Sequence, residues 1–156
     1  MKSARAELNG VGGWLLFLCV TLAVLDPSAT LINLFMVADA AKPYFARNPG
    51  FFRLILVNGI AGITLAVFSL YAGVSLWKRL PGALAVARKY LRTVFVYSIL
   101  APFVPRLVGS TFHASPETFT FTCLNSLFTI FYLGIWYVYL NRSARVKATY
   151  GEDGSR

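Results

Sequence analysis

The chain has 156 residues, of which 57% are apolar and only 13% charged, yet its net charge is +9. A typical soluble domain has about 25% charged and roughly 45–50% apolar residues, so this chain has too few polar side chains to cover a surface in water. The composition therefore excludes a soluble enzyme and a disordered tail. It also argues against a nucleic-acid partner, because basic residues would then be interleaved with a soluble core pattern.

Four apolar stretches are long enough to cross a bilayer. A spanning helix needs about 20 apolar residues, because the hydrocarbon core is about 30 Å thick and each helical residue rises about 1.5 Å. The four stretches are 11–37, 51–77, 91–109 and 119–140. The third is the weakest because Pro102 and Pro105 interrupt it. The sequence thus predicts an all-α membrane protein, with a single four-span domain over residues 1–150 and a short cytoplasmic tail at 151–156.

The first stretch has some features of a cleaved signal peptide. Lys2 and Arg5 precede it, and Ala38-Asp39-Ala40 has the small-x-small pattern of a cleavage site. Its apolar run is, however, about twice as long as the hydrophobic region of a signal peptide. We therefore interpret it as a retained span.

The basic residues predict the orientation of the chain. With four spans, both termini and the middle loop lie on one side, and 11 of the 15 Lys and Arg residues belong to that side. They are Lys2, Arg5, Lys78, Arg79, Arg88, Lys89, Arg92, Arg142, Arg145, Lys147 and Arg156. Cytoplasmic loops are enriched in Lys and Arg, so we expect both termini to be cytoplasmic. Trp14, Trp77 and Trp136 fall near the cytoplasmic ends of their spans, as interfacial tryptophans do.

Two groups of basic residues are predicted at that membrane surface. The basic loop group comprises Lys78, Arg79, Arg88, Lys89 and Arg92, and the basic tail group comprises Arg142, Arg145 and Lys147. Each basic residue near an anionic leaflet contributes about 1 kcal/mol to binding, so we expect both groups to contact anionic lipid head groups. For the basic loop group, the alternative is a docking site for an acidic loop of a partner protein. For the basic tail group, the alternative is a docking site for a partner protein.

Asp26-Pro27 lies inside the first span and predicts a kink or a break there. Pro27 has no N–H and clashes with the carbonyl of Ala23, four residues earlier, and Asp before Pro is typical of a helix N-cap. We expect the Asp26 carboxylate in the outer half of the bilayer. Two interpretations stay open: a functional proton or cation site, or a helix cap that pairs with Arg53 or Arg106.

Small residues recur on one face of the second span at intervals of three and four. They are Gly59, Gly62, Ala66, Ser69 and Gly73, which we call the small-residue stripe. Lipid gives helices no hydrophobic reason to associate, so close packing along such faces takes its place. The pattern predicts a helix contact but leaves open whether the other helix belongs to this chain or to a neighbouring subunit.

Three amide side chains lie in or near the predicted spans, at Asn33, Asn58 and Asn125. Amides in spans commonly form hydrogen bonds between helices, and a contact with a transported substrate is the alternative.

The sequence contains no motif of a catalytic or cofactor site. There is no metal-ligand spacing, phosphate loop or nucleophile–base pattern, and His113 is isolated in a predicted loop. Cys19 and Cys123 are predicted at different depths in the bilayer, too far apart for a disulfide. We therefore expect neither enzyme activity nor a cofactor.

Both ends of the chain carry distinctive motifs. The first is Gly12-Gly13-Trp14-Leu15-Leu16, with Pro27 following, and the second is Ser143-Ala144-Arg145-Val146-Lys147-Ala148-Thr149-Tyr150 after the last span. They resemble a family of small bacterial inner-membrane proteins catalogued as domain of unknown function 2569. The middle of the chain resembles this family in its four-helix layout and in the segment Pro81 to Leu91. The resemblance implies a bacterial cytoplasmic membrane and assigns no activity and no site.

Two functions from different classes follow as hypotheses. The leading one is a non-catalytic accessory or interaction subunit of a larger membrane complex, bound to other membrane subunits or to copies of itself. The alternative is a small transporter or lipid-handling protein that acts as an oligomer, because four short spans leave a single chain little room for a pathway. An intramembrane enzyme is the weakest hypothesis.

Overall fold

The computed structural model describes residues 11–45, 48–107 and 116–151, with only the backbone described at 116–118. Every regular element in these ranges is a helix, which confirms the all-α prediction. We number the α-helices α1 (Trp14–Val20), α2 (Asp26–Ala41), α3 (Pro49–Trp77), α4 (Ala83–Leu100), α5 (Val104–Leu107), α6 (Pro116–Arg142) and α7 (Ala144–Tyr150). A π-helical turn (Thr21–Leu25) joins α1 to α2, and 3₁₀ turns follow α2 (Lys42–Tyr44) and α4 (Ala101–Phe103).

Three helices in the described part of the chain are long and apolar enough to cross a membrane. They are Trp14–Tyr44, Pro49–Trp77 and Phe119–Arg142, with mean hydropathies of 2.1, 2.0 and 1.5. These values support a multi-pass membrane protein. Three of the four predicted spans are therefore found, and the predicted third span, 91–109, is not among the helices that are long and apolar enough.

The charges in α4 explain this difference. The helix begins at Ala83, well before the predicted start at Leu91, and therefore includes Arg88, Lys89 and Arg92. It ends at Leu100, because the prolines that follow have no N–H to continue an α-helix. The apolar part that remains is shorter than a full span. The chain continues through the 3₁₀ turn into α5, and residues 108 and 109 of the predicted span lie outside the described residues.

The first span passes through a π-turn and is not broken. The N–H of Asp26 donates to the carbonyl oxygen of Thr21, five residues earlier, as in a π-helix. Asp26 itself has helical dihedral angles, φ −61° and ψ −51°, and no side chain caps the start of α2. The prediction that Asp26 caps a helix is therefore wrong, because the distortion imposed by Pro27 is absorbed within a continuous helix.

The helices pack in the order first span, α3, α4 and α6. Their buried apolar side chains form a core toward one end of the bundle, built from Leu15, Leu18, Leu22, Ala72, Leu76, Ala83, Ala87, Leu91, Leu133 and Leu140. The first span also reaches α6 directly. The rings of Trp14 and Phe17 lie 6.4 and 5.9 Å from that of Trp136.

The C-terminal helix α7 folds back against this end of the bundle. Its Val146 is 1% exposed, and the phenol of Tyr150 donates a 2.6 Å hydrogen bond to the carbonyl oxygen of Leu76, the next-to-last residue of α3. The guanidinium of Arg145 lies against the backbone of Gly12, since a Cβ on Gly12 would be 2.9 Å from Nη1. The beginning of the first span and the last described helix therefore meet at the same end of the molecule.

Candidate functional site: a polar cluster at the first-span π-turn

The π-turn leaves one backbone carbonyl without its usual donor. After the Asp26 N–H bonds to Thr21, the next bond of the series would join the N–H of residue 27 to the carbonyl of Leu22. Residue 27 is proline and has no N–H. The hydroxyl of Ser69 on α3 donates to the Leu22 oxygen instead, at 2.8 Å, and Ser69 is fully buried. A side chain from a neighbouring helix thus supplies the hydrogen bond that Pro27 removes.

The Asp26 carboxylate lies between the first span, α3 and α4. The phenol of Tyr90 on α4 donates to its Oδ2 at 3.5 Å, and the hydroxyl of Ser69 lies beside both groups. Tyr132 on α6 is within electrostatic range of the same carboxylate. Asp26 forms no ion pair with any Lys or Arg of the described ranges, where the pair found is Lys42 with Asp39. The expected pairing with Arg53 or Arg106 is therefore wrong.

One π-turn before Asp26, a buried hydroxyl has no hydrogen-bond partner among the described residues. Thr21 is 5% exposed, and within the described part of the chain its Oγ1 is neither donor nor acceptor in a hydrogen bond. It lies one π-turn before Asp26 on the same span. We call Thr21, Asp26, Ser69, Tyr90 and Tyr132 the polar cluster. All four packed helical segments contribute to it.

The small-residue stripe packs against the first span of the same chain. A Cβ on Gly59 or Gly62 would lie 3.2 Å from Leu34 and 3.5 Å from Thr30, respectively. The approach is closest at Gly73, where a Cβ would lie 2.5 Å from the backbone nitrogen of Ala23. Ala66 and Ser69 are buried in the same contact region. The stripe therefore holds α3 close enough to the π-turn for Ser69 to reach Leu22.

The three amides have different environments. Asn58 donates to the carbonyl of Leu54 at 3.0 Å and accepts from the phenol of Tyr97 on α4 at 3.2 Å, so it links two helices. Asn33 and Asn125 are exposed on the outside of the bundle. Within the described ranges, no hydrogen bond to either side-chain amide is found.

The residues of the basic loop and tail groups lie on elements that meet at one end of the bundle. Lys78 and Arg79 follow α3, Arg88 to Arg92 lie in the first half of α4, and the tail group lies at the end of α6 and in α7. Arg92 also lines a groove of about 190 Å³ between α4 and α6, together with the apolar side chains of Leu91, Phe95 and Leu133. Lys2, Arg5 and Arg156 lie outside the described residues.

Sequence reasoning identified Asp26 but not its partners. Tyr90 and Tyr132 had no distinguishing sequence signal, since tyrosines are common in spans. Ser69 was identified only as a small residue of the stripe. One signal could have been used: a proline inside a span removes a hydrogen bond, which predicts a donor on a neighbouring helix.

The remaining titratable side chains do not form a metal centre in the described ranges. No group of three or more His, Cys, Asp or Glu residues is found there. Cys19 and Cys123 are both free thiols, the first of them buried. His113 lies outside the described residues.

Comparison with known proteins places the sequence in a family. A family model described as "Protein of unknown function (DUF2569)" matches residues 8–151. No curated protein and no solved structure matches the chain.

Proposed function

We propose a function from the geometry of the chain itself. The chain belongs to the DUF2569 family, and the description of that family assigns no function. The protein is a non-catalytic integral membrane protein that acts by binding other membrane proteins, as an accessory or interaction subunit of a larger complex. The observation that supports this proposal most directly is that the amide of Asn125 is exposed on the outer surface of α6.

Two contacts bring the beginning of the first span, the end of α3 and α7 to one end of the bundle. Gly12 and Arg145 are in contact, and Tyr150 bonds to the end of α3. If the first span, α3 and α6 each cross the bilayer, the chain between α3 and α6, which includes α4, has to cross it as well for these ends to meet. The basic loop and tail groups then share one surface, which the positive-inside rule makes cytoplasmic. We place both termini in the cytoplasm and the chain in a bacterial inner membrane, with anionic lipids around the basic groups.

The outer surface of α6 exposes an amide beside two aromatic rings. Phe121 and Phe128 are each 73% exposed and flank Asn125 at four and three residues along the helix, so the three side chains share one face. We call them the Asn125 face. Lipid tails cover the phenyl rings well, but they cannot form a hydrogen bond with an amide. A polar side chain or backbone group of a neighbouring transmembrane helix can.

The small-residue stripe does not offer a surface to another subunit. Its glycines are already in contact with the first span, so the stripe is not available to a partner. Association with other subunits has to use an outer surface, and the Asn125 face combines a hydrogen-bonding group with large aromatic side chains, the kind of residue enriched at protein interfaces.

A photo-crosslinking experiment tests this function. A photoreactive amino acid at position 128 should form a protein adduct of one defined mass in intact membranes, and an added Asn125→Leu substitution should abolish the adduct. The matched control carries the probe at Val67, which is 62% exposed on α3 and should crosslink to lipid. Adducts at position 128 that contain lipid alone, or that persist unchanged after the Asn125→Leu substitution, would contradict the proposal.

A second candidate function, a small transporter or lipid-handling protein that acts as an oligomer, is favoured by the polar cluster. The Asp26 carboxylate has no ion pair within the described ranges, and it lies about 18 Å along the helix from Trp14. Such intramembrane carboxylates are typical of ion pathways in membrane proteins. Proton- or ion-coupled uptake in vesicles, compared between the parent and Asp26→Asn, distinguishes this candidate, since an interaction subunit should show no such flux.

A further inference from the structure

The polar cluster contains only oxygen ligands and no basic group. Asp26 supplies a carboxylate, Thr21 and Ser69 supply hydroxyls, and Tyr90 and Tyr132 supply phenols. Oxygen donors of this kind suit hard cations, whereas transition metals prefer histidine or cysteine. The chemistry of the cluster therefore suits a hard cation.

The hydrogen bonds of the cluster leave acceptor positions unused. Ser69 uses its proton on the Leu22 carbonyl, so its oxygen lone pairs face the other groups without a proton to give. Tyr90 reaches only one carboxylate oxygen, Oδ2, at 3.5 Å, which is longer than a strong charge-assisted bond. The buried Oγ1 of Thr21 has no partner among the described residues. A cation bound among these side chains would accept electron density from these oxygens.

The backbone of the first span departs from α-helical geometry just before Asp26, and ion sites in transporters often lie at such departures. Where a transmembrane helix departs from α-geometry, carbonyl groups lose their partners and become available to Na⁺ or H⁺. The π-turn at Thr21–Leu25 is such a departure and immediately precedes Asp26, but its Leu22 carbonyl accepts from Ser69, so the side-chain oxygens remain as ligands. Since the cluster contains one carboxylate, one positive charge neutralises it, and a divalent ion would leave an uncompensated charge in the bilayer.

We propose that the polar cluster binds one monovalent metal cation, for which Na⁺ is the probe, through the Asp26 carboxylate and the hydroxyl oxygens of Thr21 and Ser69. The cation joins the first span to α3 at the π-turn. This inference is independent of the Asn125 face, so either proposal can fail without the other.

Thermal unfolding of the full chain in detergent tests the site. We expect the unfolding midpoint to rise saturably with NaCl when choline chloride keeps the ionic strength constant, because a ligand that binds only the folded state stabilises it. Asp26→Asn should remove the rise. Asp39→Asn is the matched control, since Asp39 is an exposed carboxylate on the same span, paired with Lys42, and it should retain the rise.

A second variant and a direct measurement keep the test independent of folding. Thr21→Val preserves the shape of the side chain and removes the orphaned hydroxyl, and we expect it to weaken equilibrium binding of radioactive ²²Na⁺ at least about tenfold, a loss of one ligand worth about 1.4 kcal/mol. The proposal is overturned if the parent protein binds no ²²Na⁺. It is equally overturned if Asp26→Asn binds as well as the parent, or if the midpoint follows pH alone with no difference between Na⁺ and choline.

Discussion

The hydroxyl of Ser69 donates a 2.8 Å hydrogen bond to the carbonyl oxygen of Leu22, 47 positions earlier in the chain. The bond replaces one that Pro27 removes from the backbone of the first span. It joins the two helices that flank Asp26, so the backbone defect and the intramembrane carboxylate belong to the same local arrangement.

Ser69→Ala should destabilise the protein by about 0.6–1.7 kcal/mol, the range measured for hydrogen bonds between transmembrane helices. The Leu22 carbonyl would then be buried without a donor. Thr64→Ala is the control, because the Thr64 hydroxyl bonds to Ile60 in its own helix and should cost less. Reversible unfolding in mixed micelles measures the difference, and equal losses for the two variants would contradict this role of Ser69.

Pro27→Ala should reduce the cost of Ser69→Ala. Alanine at position 27 restores an N–H that can bond to the preceding carbonyls, so the serine hydroxyl is no longer the only donor for Leu22. A double-mutant cycle measures this coupling, which we expect to be about 0.5–1 kcal/mol. Strictly additive effects would show that the Ser69 bond does not compensate for the proline.

Gly73→Ala should destabilise the contact between α3 and the first span. The added Cβ would lie 2.5 Å from the backbone nitrogen of Ala23, and backbone atoms cannot move aside as a flexible side chain can. Overpacking of this kind costs about 1–3 kcal/mol. The matched control is Gly134→Ala, whose Cβ would meet nothing within 4 Å and should stabilise α6 slightly. Unfolding free energies that rank the two variants in the opposite order would contradict the packing described.

Tyr150→Phe should release α7 from the end of α3. The lost hydrogen bond to the Leu76 carbonyl contributes about 0.5–1.5 kcal/mol, and burial raises the pKa of the Tyr150 phenol, so it stays protonated and able to donate. Limited proteolysis after Arg145 or Lys147 should become faster, whereas Tyr71→Phe, at an exposed tyrosine of α3, should leave the rate unchanged. A rate unaffected by Tyr150→Phe would show that this bond does not hold α7.

The sequence was sufficient for the all-helical class and for the strongest spans, because hydrophobic length is a direct requirement of the bilayer. It overestimated the third span, since the start of α4 depends on how Gly82, at φ 75°, turns the chain into the helix from Ala83. Asp26 was visible as a charge among apolar residues. Its neighbours Tyr90 and Tyr132 were not, because their approach depends on helix packing, and the Ser69 bond to Leu22 joins residues 47 positions apart.

We propose that the chain between α3 and α6, which includes α4, crosses the membrane, so that the end of α3 and α7 lie on the same side. Cysteine labelling tests this crossing most directly. The background variant carries Cys123→Ala and retains Cys19, which is fully buried and should not react with the label. Single cysteines are placed at the exposed positions Lys42, Lys78 and Lys147. With a membrane-impermeant maleimide on intact cells, we predict that only the cysteine at position 42 reacts, and that those at 78 and 147 react after the membrane is opened. Labelling of positions 78 and 147 from opposite sides would contradict the account.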